Sequence, residues 1–168
     1  LFGATGDLAR RKLLPGLFHL FKAGLLPRCR VLGVSLDEID DDAFRTFAHE
    51  AVTEFGRAST APDQWADFEK CIHYVSQVEG AAGLARTVAH LEEDLGGSPN
   101  RLHYLSVPPQ AAEEVVRMLG EAGLAQRSRI IMEKPFGTDL ESAVGLNEAL
   151  HEVFVESQIF RIDHFLGK

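Results

Sequence analysis

Gly3-Ala4-Thr5-Gly6-Asp7-Leu8 sets two glycines just ahead of a helical pattern, and such a turn offers backbone N–H groups and the positive end of a helix dipole to an anion. Glycine at Gly3 and Gly6 lets the chain turn tightly and lets backbone approach phosphate oxygens that a side chain would hold off. The spacing departs from the usual G-x-G-x-x-G, so its place between a strand and a helix gives it meaning. Asp7 reads either as a helix N-cap or as a direct ligand. Arg10, Arg11 and Lys12 are cations within reach of a phosphate, although Arg11 and Lys12 also suit a solvated first turn. Near the other end, His164 and Lys168 lie four residues apart and can converge on one phosphate dianion, which needs cations and N–H donors. Lys134 stands between Glu133 and Pro135, where the proline bars its predecessor from helical dihedrals and can be cis, so that the lysine is aimed.

These groups need a frame that brings distant stretches together. Leu1-Phe2 reads as the stub of a first strand. Leu13, Leu14, Leu17, Leu20 and Phe21 recur at helical spacing before a stop at Gly24, predicting a helix over 7–23. Arg30 to Ser35 is an apolar run of strand length. Further helices are expected near 41–55, 62–70, 81–95, 110–122 and 139–152, and strands at Ile72 to Ser76, Leu102 to Val107, Arg129 to Met132 and Gln158 to Ile162. Pro108-Pro109 closes the run Leu102 to Val107. Strands alternating with helices predict an α/β fold with a doubly wound, mostly parallel, Rossmann-like sheet, because parallel neighbours need crossover helices. Ligands in such sheets bind beyond the carboxyl ends of the strands, where every stretch named above falls. No internal repeat is present, and Gly56 to Pro62 reads as a polar loop.

With 168 residues, 45% of them hydrophobic and 25% charged, the chain can bury the core of one domain, residues 1–168. A formal net charge of -8 argues against a general nucleic-acid or anionic-membrane surface, so an anionic substrate must be met by a local cationic pocket. Cys29 and Cys71 are single and far apart, suggesting neither a disulfide framework nor a metal site, and are expected as inert thiols in or near the core. No stretch approaches the roughly 20 apolar residues of a membrane span and no signal-peptide pattern precedes the fold, so a cytoplasmic location is the default expectation. The chain opens without methionine inside a strand and closes on Lys168, and both ends look cut.

Gly3 to Arg10 resembles the nucleotide loop of the glucose-6-phosphate dehydrogenase family. Glu133-Lys134-Pro135-Phe136-Gly137 and Arg161-Ile162-Asp163-His164-Phe165-Leu166-Gly167-Lys168 follow in family order, and Arg101 to Pro109 is similar to the segment between. The likeness covers the whole chain, the last octapeptide being its most specific part. It implies hydride transfer from the anomeric carbon of glucose 6-phosphate to a nicotinamide cofactor, NADP or NAD, giving 6-phosphogluconolactone in the oxidative pentose phosphate pathway. It also implies cofactor binding by Gly3, Ala4, Thr5, Gly6, Asp7, Leu8, Arg10, Ser35, Tyr104 and Lys134, and substrate binding by Lys134, His164 and Lys168. Lys134 would contact substrate and cofactor near the reacting centre. Asp163 would orient the histidine that takes the sugar hydroxyl proton, holding its tautomer and stabilising the imidazolium. That histidine is expected beyond Lys168; His19, His49, His73, His90, His103 and His151 match no such role. A second, α+β domain is expected to be missing, through which family members form homo-oligomers. The piece alone is expected to bind cofactor weakly and to be inactive.

Two departures from the family pattern stand out. Leu36 occupies the place of an arginine that pairs with the 2'-phosphate of NADP, and the following Asp37 is the residue type that binds a ribose 2'-hydroxyl and repels a phosphate. Ser35 can still serve a 2'-phosphate, and Asp37 to Asp42 also read as a solvated acidic turn, so NAD and NADP both stay open. Phe165 replaces the family's usual tyrosine, leaving His164 and Lys168 to carry more of the anion. Tyr104 reads equally as an aromatic capping a buried strand. Two other readings remain: a standalone nucleotide-binding or regulatory module, and a sugar oxidoreductase of the Gfo/Idh type, which shares Glu-Lys-Pro but carries G-x-G-x-x-G and lacks the octapeptide.

Overall fold

A computed structural model describes residues 1–26, 28–56 and 62–163. Its strands are β1 (Val31–Ser35), β2 (Ile72–Ser76), β3 (Arg101–Leu105), β4 (Ser128–Glu133) and β5 (Ile159–Ile162). Its helices are α1 (Leu14–Lys22), α2 (Asp41–Phe55), α3 (Pro62–Phe68), α4 (Gly80–Leu95), α5 (Pro109–Glu121) and α6 (Leu140–Val153). β1 pairs in parallel with β2, Val31 opposite Ile72, and β4 lies in parallel between β3 and β5. The Leu1-Phe2 stub joins the two groups, since Phe2 bridges both Val34 and Leu105. Its N–H donates to the Tyr104 carbonyl at 2.9 Å, while Ser106 N–H donates to the Phe2 carbonyl at 3.0 Å. The strand order is therefore β2-β1-stub-β3-β4-β5, and the chain leaves the stub first to one side and later to the other. That reversal opens a crevice at the stub's carboxyl end.

Helices cover the two faces unequally. On one face α4, α5 and α6 bury Val34, Val75, Leu105, Ile130, Met132 and Ile159 in a core with Leu84, Val116, Leu119 and Leu150. On the other, α1, α2 and α3 cover Ile72 and Tyr74 with Leu14, Phe18, Phe44 and Phe68. The doubly wound, Rossmann-like α/β expectation holds.

The first helix differs from its expected form. Residues Ala9–Leu13 form a π-helical turn, in which Leu14 N–H reaches the Ala9 carbonyl, before α1 begins. Pro15 explains the widening: its ring has no N–H and clashes with the carbonyl four residues back. The expected stop at Gly24 is present, with φ +66°. α2 keeps its predicted bounds because Asp40 caps it, accepting Ala43 N–H at 2.8 Å, and Gly56 ends it. β3 ends at Leu105, two residues short of the expected Val107. Cys29 and Cys71 are free, half-buried thiols. Most of the expected loop from Gly56 to Pro62, together with His164, Phe165 and Lys168, lies outside the described residues.

Candidate functional site

Gly3 leaves the stub with φ +71°, and a Cβ there would sit 2.1 Å from the Ser106 carbonyl oxygen. Only glycine lets the turn pass this close to the end of β3. The amides of the turn are largely used internally: Gly3 and Ala4 N–H donate to the Val34 carbonyl, Gly6 N–H to the Gly3 carbonyl, and Thr5 N–H to Ser35 Oγ at 3.1 Å. Arg10 N–H donates to the Gly6 carbonyl as the first helical bond. The N–H groups of Asp7, Leu8 and Ala9 precede any such partner, so the anion-facing amides belong to the first helical turn rather than to the glycine loop itself. Ala4 is fully buried, and its side chain packs instead against the backbone of Gly33.

A cleft of 330 Å³ opens beside these amides, lined by Gly6, Asp7 and Leu8, by Leu105 to Pro109, and by Glu133, Lys134 and Pro135. It lies beyond the carboxyl ends of β3 and β4. Lys134 follows β4, its bond to Pro135 is cis, and its Nζ meets Asp163 Oδ2 at 3.0 Å just past β5. Two residues separated by most of a crossover unit are thus brought to one mouth. Ser106 and Val107 were not singled out individually from the sequence; their signals were the family-like segment Arg101 to Pro109 and their position at the end of a central parallel strand.

Other candidates settle differently. Asp7 does not cap the helix: its Oδ1 accepts from Arg11 at 2.6 Å. Arg10 pairs with Glu54 at 2.8 Å, and its guanidinium lies 5.9 Å from the rings of both Phe47 and Phe55. It therefore turns toward α2 and does not line the cleft. Tyr104 donates its hydroxyl to Glu133 Oε1, and burial followed by the neighbouring carboxylate raises its pKa. It too is absent from the cleft lining. Ser35 is buried, its hydroxyl holding Thr5 N–H. Thr5 donates its own hydroxyl to Asp37 Oδ2 at 2.5 Å, a link between the glycine turn and the end of β1 that spacing could not reveal. Tyr74 donates its hydroxyl to the Asp37 carbonyl at 2.7 Å, and burial together with the Asp37 charge pushes its pKa up to about 12.

A larger hollow of 480 Å³ lies between α2 and the segment leading into β2, lined by Asp42, Arg45, Thr46, His49, Trp65, Glu69 and Lys70. It sits at the opposite, amino end of β2. Its arginine is already engaged by Asp41, Asp42 and the carbonyls of Glu69 and Ile72. Among the described residues no group of three or more His, Cys, Asp or Glu side chains converges on a metal-sized space, and no helix is long and apolar enough to cross a membrane.

The glycine turn, the helix amides and the crevice at the reversal of strand order define an α/β domain of the dinucleotide-binding kind. The chain belongs to the family described as glucose-6-phosphate dehydrogenase, NAD binding domain, which matches residues 1–168. It is 39% identical over 171 residues to glucose-6-phosphate 1-dehydrogenase of Dickeya dadantii, covering 100% of this chain and 34% of that protein. A crystal structure of glucose-6-phosphate 1-dehydrogenase from Mycobacterium avium superposes with a TM-score of 0.84 at 38% identity, over 99% of this chain and 35% of that one. A second, described as glucose-6-phosphate dehydrogenase in complex with its substrate glucose-6-phosphate, gives a TM-score of 0.84 at 34% identity, over 99% and 36%. The chain thus spans about a third of the length of the relatives it matches. The family match sets aside the Gfo/Idh reading.

Proposed function

We propose that this chain is the dinucleotide-binding part of an enzyme that oxidises the anomeric carbon of glucose 6-phosphate to 6-phosphogluconolactone with NADP or NAD. The observation that carries the reading is the 330 Å³ cleft in which the first-turn amides of Asp7 and Leu8 face Lys134 across the tip of β3. A dinucleotide suits that place: glycine at Gly3 lets the turn lie against the end of β3, where a side chain would meet the Ser106 carbonyl, and the helix amides suit a pyrophosphate. The nicotinamide, when bound, supplies the two-electron acceptor.

Gly3, Ala4, Thr5 and Gly6 shape the turn, while Asp7 and Leu8 present amides. Lys134 holds positive charge at the mouth, where it steadies the sugar hydroxyl and the phosphate-bearing substrate. Asp163, 3.0 Å from that lysine, fixes its position and orients the base, which is proposed to lie outside these 168 residues. His164 and Lys168 are proposed to hold the sugar phosphate. The full-length protein is read as a cytoplasmic homo-oligomer, with residues 1–168 belonging to its cofactor domain.

Reduced-coenzyme absorbance with glucose 6-phosphate tests the reading on the full-length protein. Lys134→Ala is expected to lower kcat/KM by about a hundredfold or more, on the scale of losing one preorganised charge at a reacting centre. Oxidation of glucose 6-phosphate at background rate by the unaltered protein overturns it.

A further inference from the structure

We propose that Asp37 selects the coenzyme, accepting an adenosine ribose with a free 2'-hydroxyl and refusing one that carries a 2'-phosphate, so that NAD is preferred to NADP; this rests on the dinucleotide reading above. Asp37 lies two residues past the end of β1, the strand beside the stub. With the pyrophosphate on the first helix, that position is where the adenosine ribose must lie.

The carboxylate is held in advance. Its Oδ2 accepts the Thr5 hydroxyl at 2.5 Å, and the backbone of the same residue accepts the Tyr74 hydroxyl at 2.7 Å. Thr5 is itself fixed through its N–H to the buried Ser35. Asp37 Oδ1 accepts no bond among the described residues, and the side chain is exposed. A ribose diol donates to such an oxygen. A 2'-phosphate brings acceptors and like charge to the same place.

Two of the three cations of the first helix are engaged elsewhere, Arg10 with Glu54 and Arg11 with Asp7, which leaves Lys12 as the one without a partner among the described residues. Leu36 beside Asp37 is 71% exposed and offers neither charge nor side-chain donor. Ser35, the remaining hydroxyl at this strand end, is buried behind Thr5.

Dissociation constants for NADH and NADPH, read from coenzyme fluorescence on the full-length protein, test the proposal without any sugar present. NADH is expected to bind at least about tenfold more tightly than NADPH, the worth of one hydrogen bond to a charged group. Asp37→Asn and Asp37→Ser, both at an exposed position, are expected to bring that ratio close to unity or invert it. Thr5→Val, which loosens the carboxylate without removing it, is expected to narrow the ratio partway, and Thr5→Ser to restore it. Tighter NADPH binding by the unaltered protein, a ratio indifferent to Asp37→Asn, or binding of neither coenzyme overturns the proposal. Selective NADH binding by a protein that does not oxidise glucose 6-phosphate supports it while overturning the reaction reading.

Discussion

His103 illustrates how a residue that no functional motif explains becomes legible once its surroundings are known. It lies on β3 with 8% of its surface exposed, its Nε2 is 3.0 Å from the Leu124 carbonyl, and Phe2 and Phe154 flank the ring at 6.5 and 6.2 Å. A carbonyl only accepts, so Nε2 carries the hydrogen and donates it. Burial holds its pKa down at about 4, against an ordinary 6.5. The unfolded chain therefore takes up a proton as pH falls below 6.5, while the folded chain stays neutral until about 4. Stability tied to this group is intact above the upper value and lost across the window, by up to about 3 kcal/mol. His103→Gln, whose amide can still donate to Leu124, should remove that share of the acid sensitivity. Chemical denaturation at intervals through the window would measure it, and parallel stability curves for the two proteins would refute the assignment. At this scale the sequence was informative about type and silent about partners. The chemistry-bearing stretches around Gly3 and Lys134 could be read from spacing, whereas the pairing of Asp7 with Arg11, of Arg10 with Glu54 and of Thr5 with Asp37 depends on rotamers and on neighbours more than 30 residues away in two of the three cases.

Elements were legible wherever a local signal fixed both ends. The helix expected near 41–55 is bounded in the fold by Asp40 and Gly56, and the one expected over 139–152 begins where Asp139 caps α6 by accepting Ser142 N–H at 2.8 Å. The departures are local in kind: Pro15 widens the first helix, and the pairing of β3 with β4 stops at Leu105 opposite Met132, although Ser106 N–H still donates to Phe2 on the neighbouring stub. The contact of α2 with β1 was not readable at all. Gly33 is the middle residue of β1, and a Cβ there would lie 2.5 Å from the Phe44 ring, itself fully buried and 5.0 Å from Tyr74. The glycine admits the phenyl group, which packs against Tyr74, the residue whose hydroxyl holds the Asp37 carbonyl. Gly33→Ala should cost about 1–3 kcal/mol by overpacking, and Phe44→Leu a similar amount by leaving space. Their combination should cost less than the sum by about 1 kcal/mol or more, because each change relieves the other. Denaturant midpoints for the four proteins close the cycle; strict additivity would show that ring and strand do not compete for the same space.

Across the whole molecule, the sheet is sheltered fully on one face and only over β1 and β2 on the other. Alternation along β3, β4 and β5 sends Leu102, Tyr104, Ile131, Phe160 and Ile162 to the second face, the opposite side from Leu105, Ile130 and Ile159 in the core. Leu102 is 60% exposed and Phe160 44%, with the Arg129 guanidinium 5.9 Å from the Phe160 ring. A doubly wound sheet read from alternation alone would have been given helices there as well. Among the described residues no helix lies there, because each helix leaves a strand on the side that its direction of travel dictates, α1 and α2 on one face and α5 and α6 on the other. The exposed strip adds little to the stability of residues 1–168, since its side chains gain little burial on folding. Leu102→Asp and Phe160→Asp in the separately produced 168-residue segment should therefore shift its unfolding free energy by no more than about 1 kcal/mol, part of it the lost contact with Arg129. The same changes should lower its binding of a hydrophobic dye and raise its solubility. Urea titrations and dye fluorescence give the two readouts together. A loss of several kcal/mol would mean that the strip is packed in solution and that the second face is closed by the segment itself.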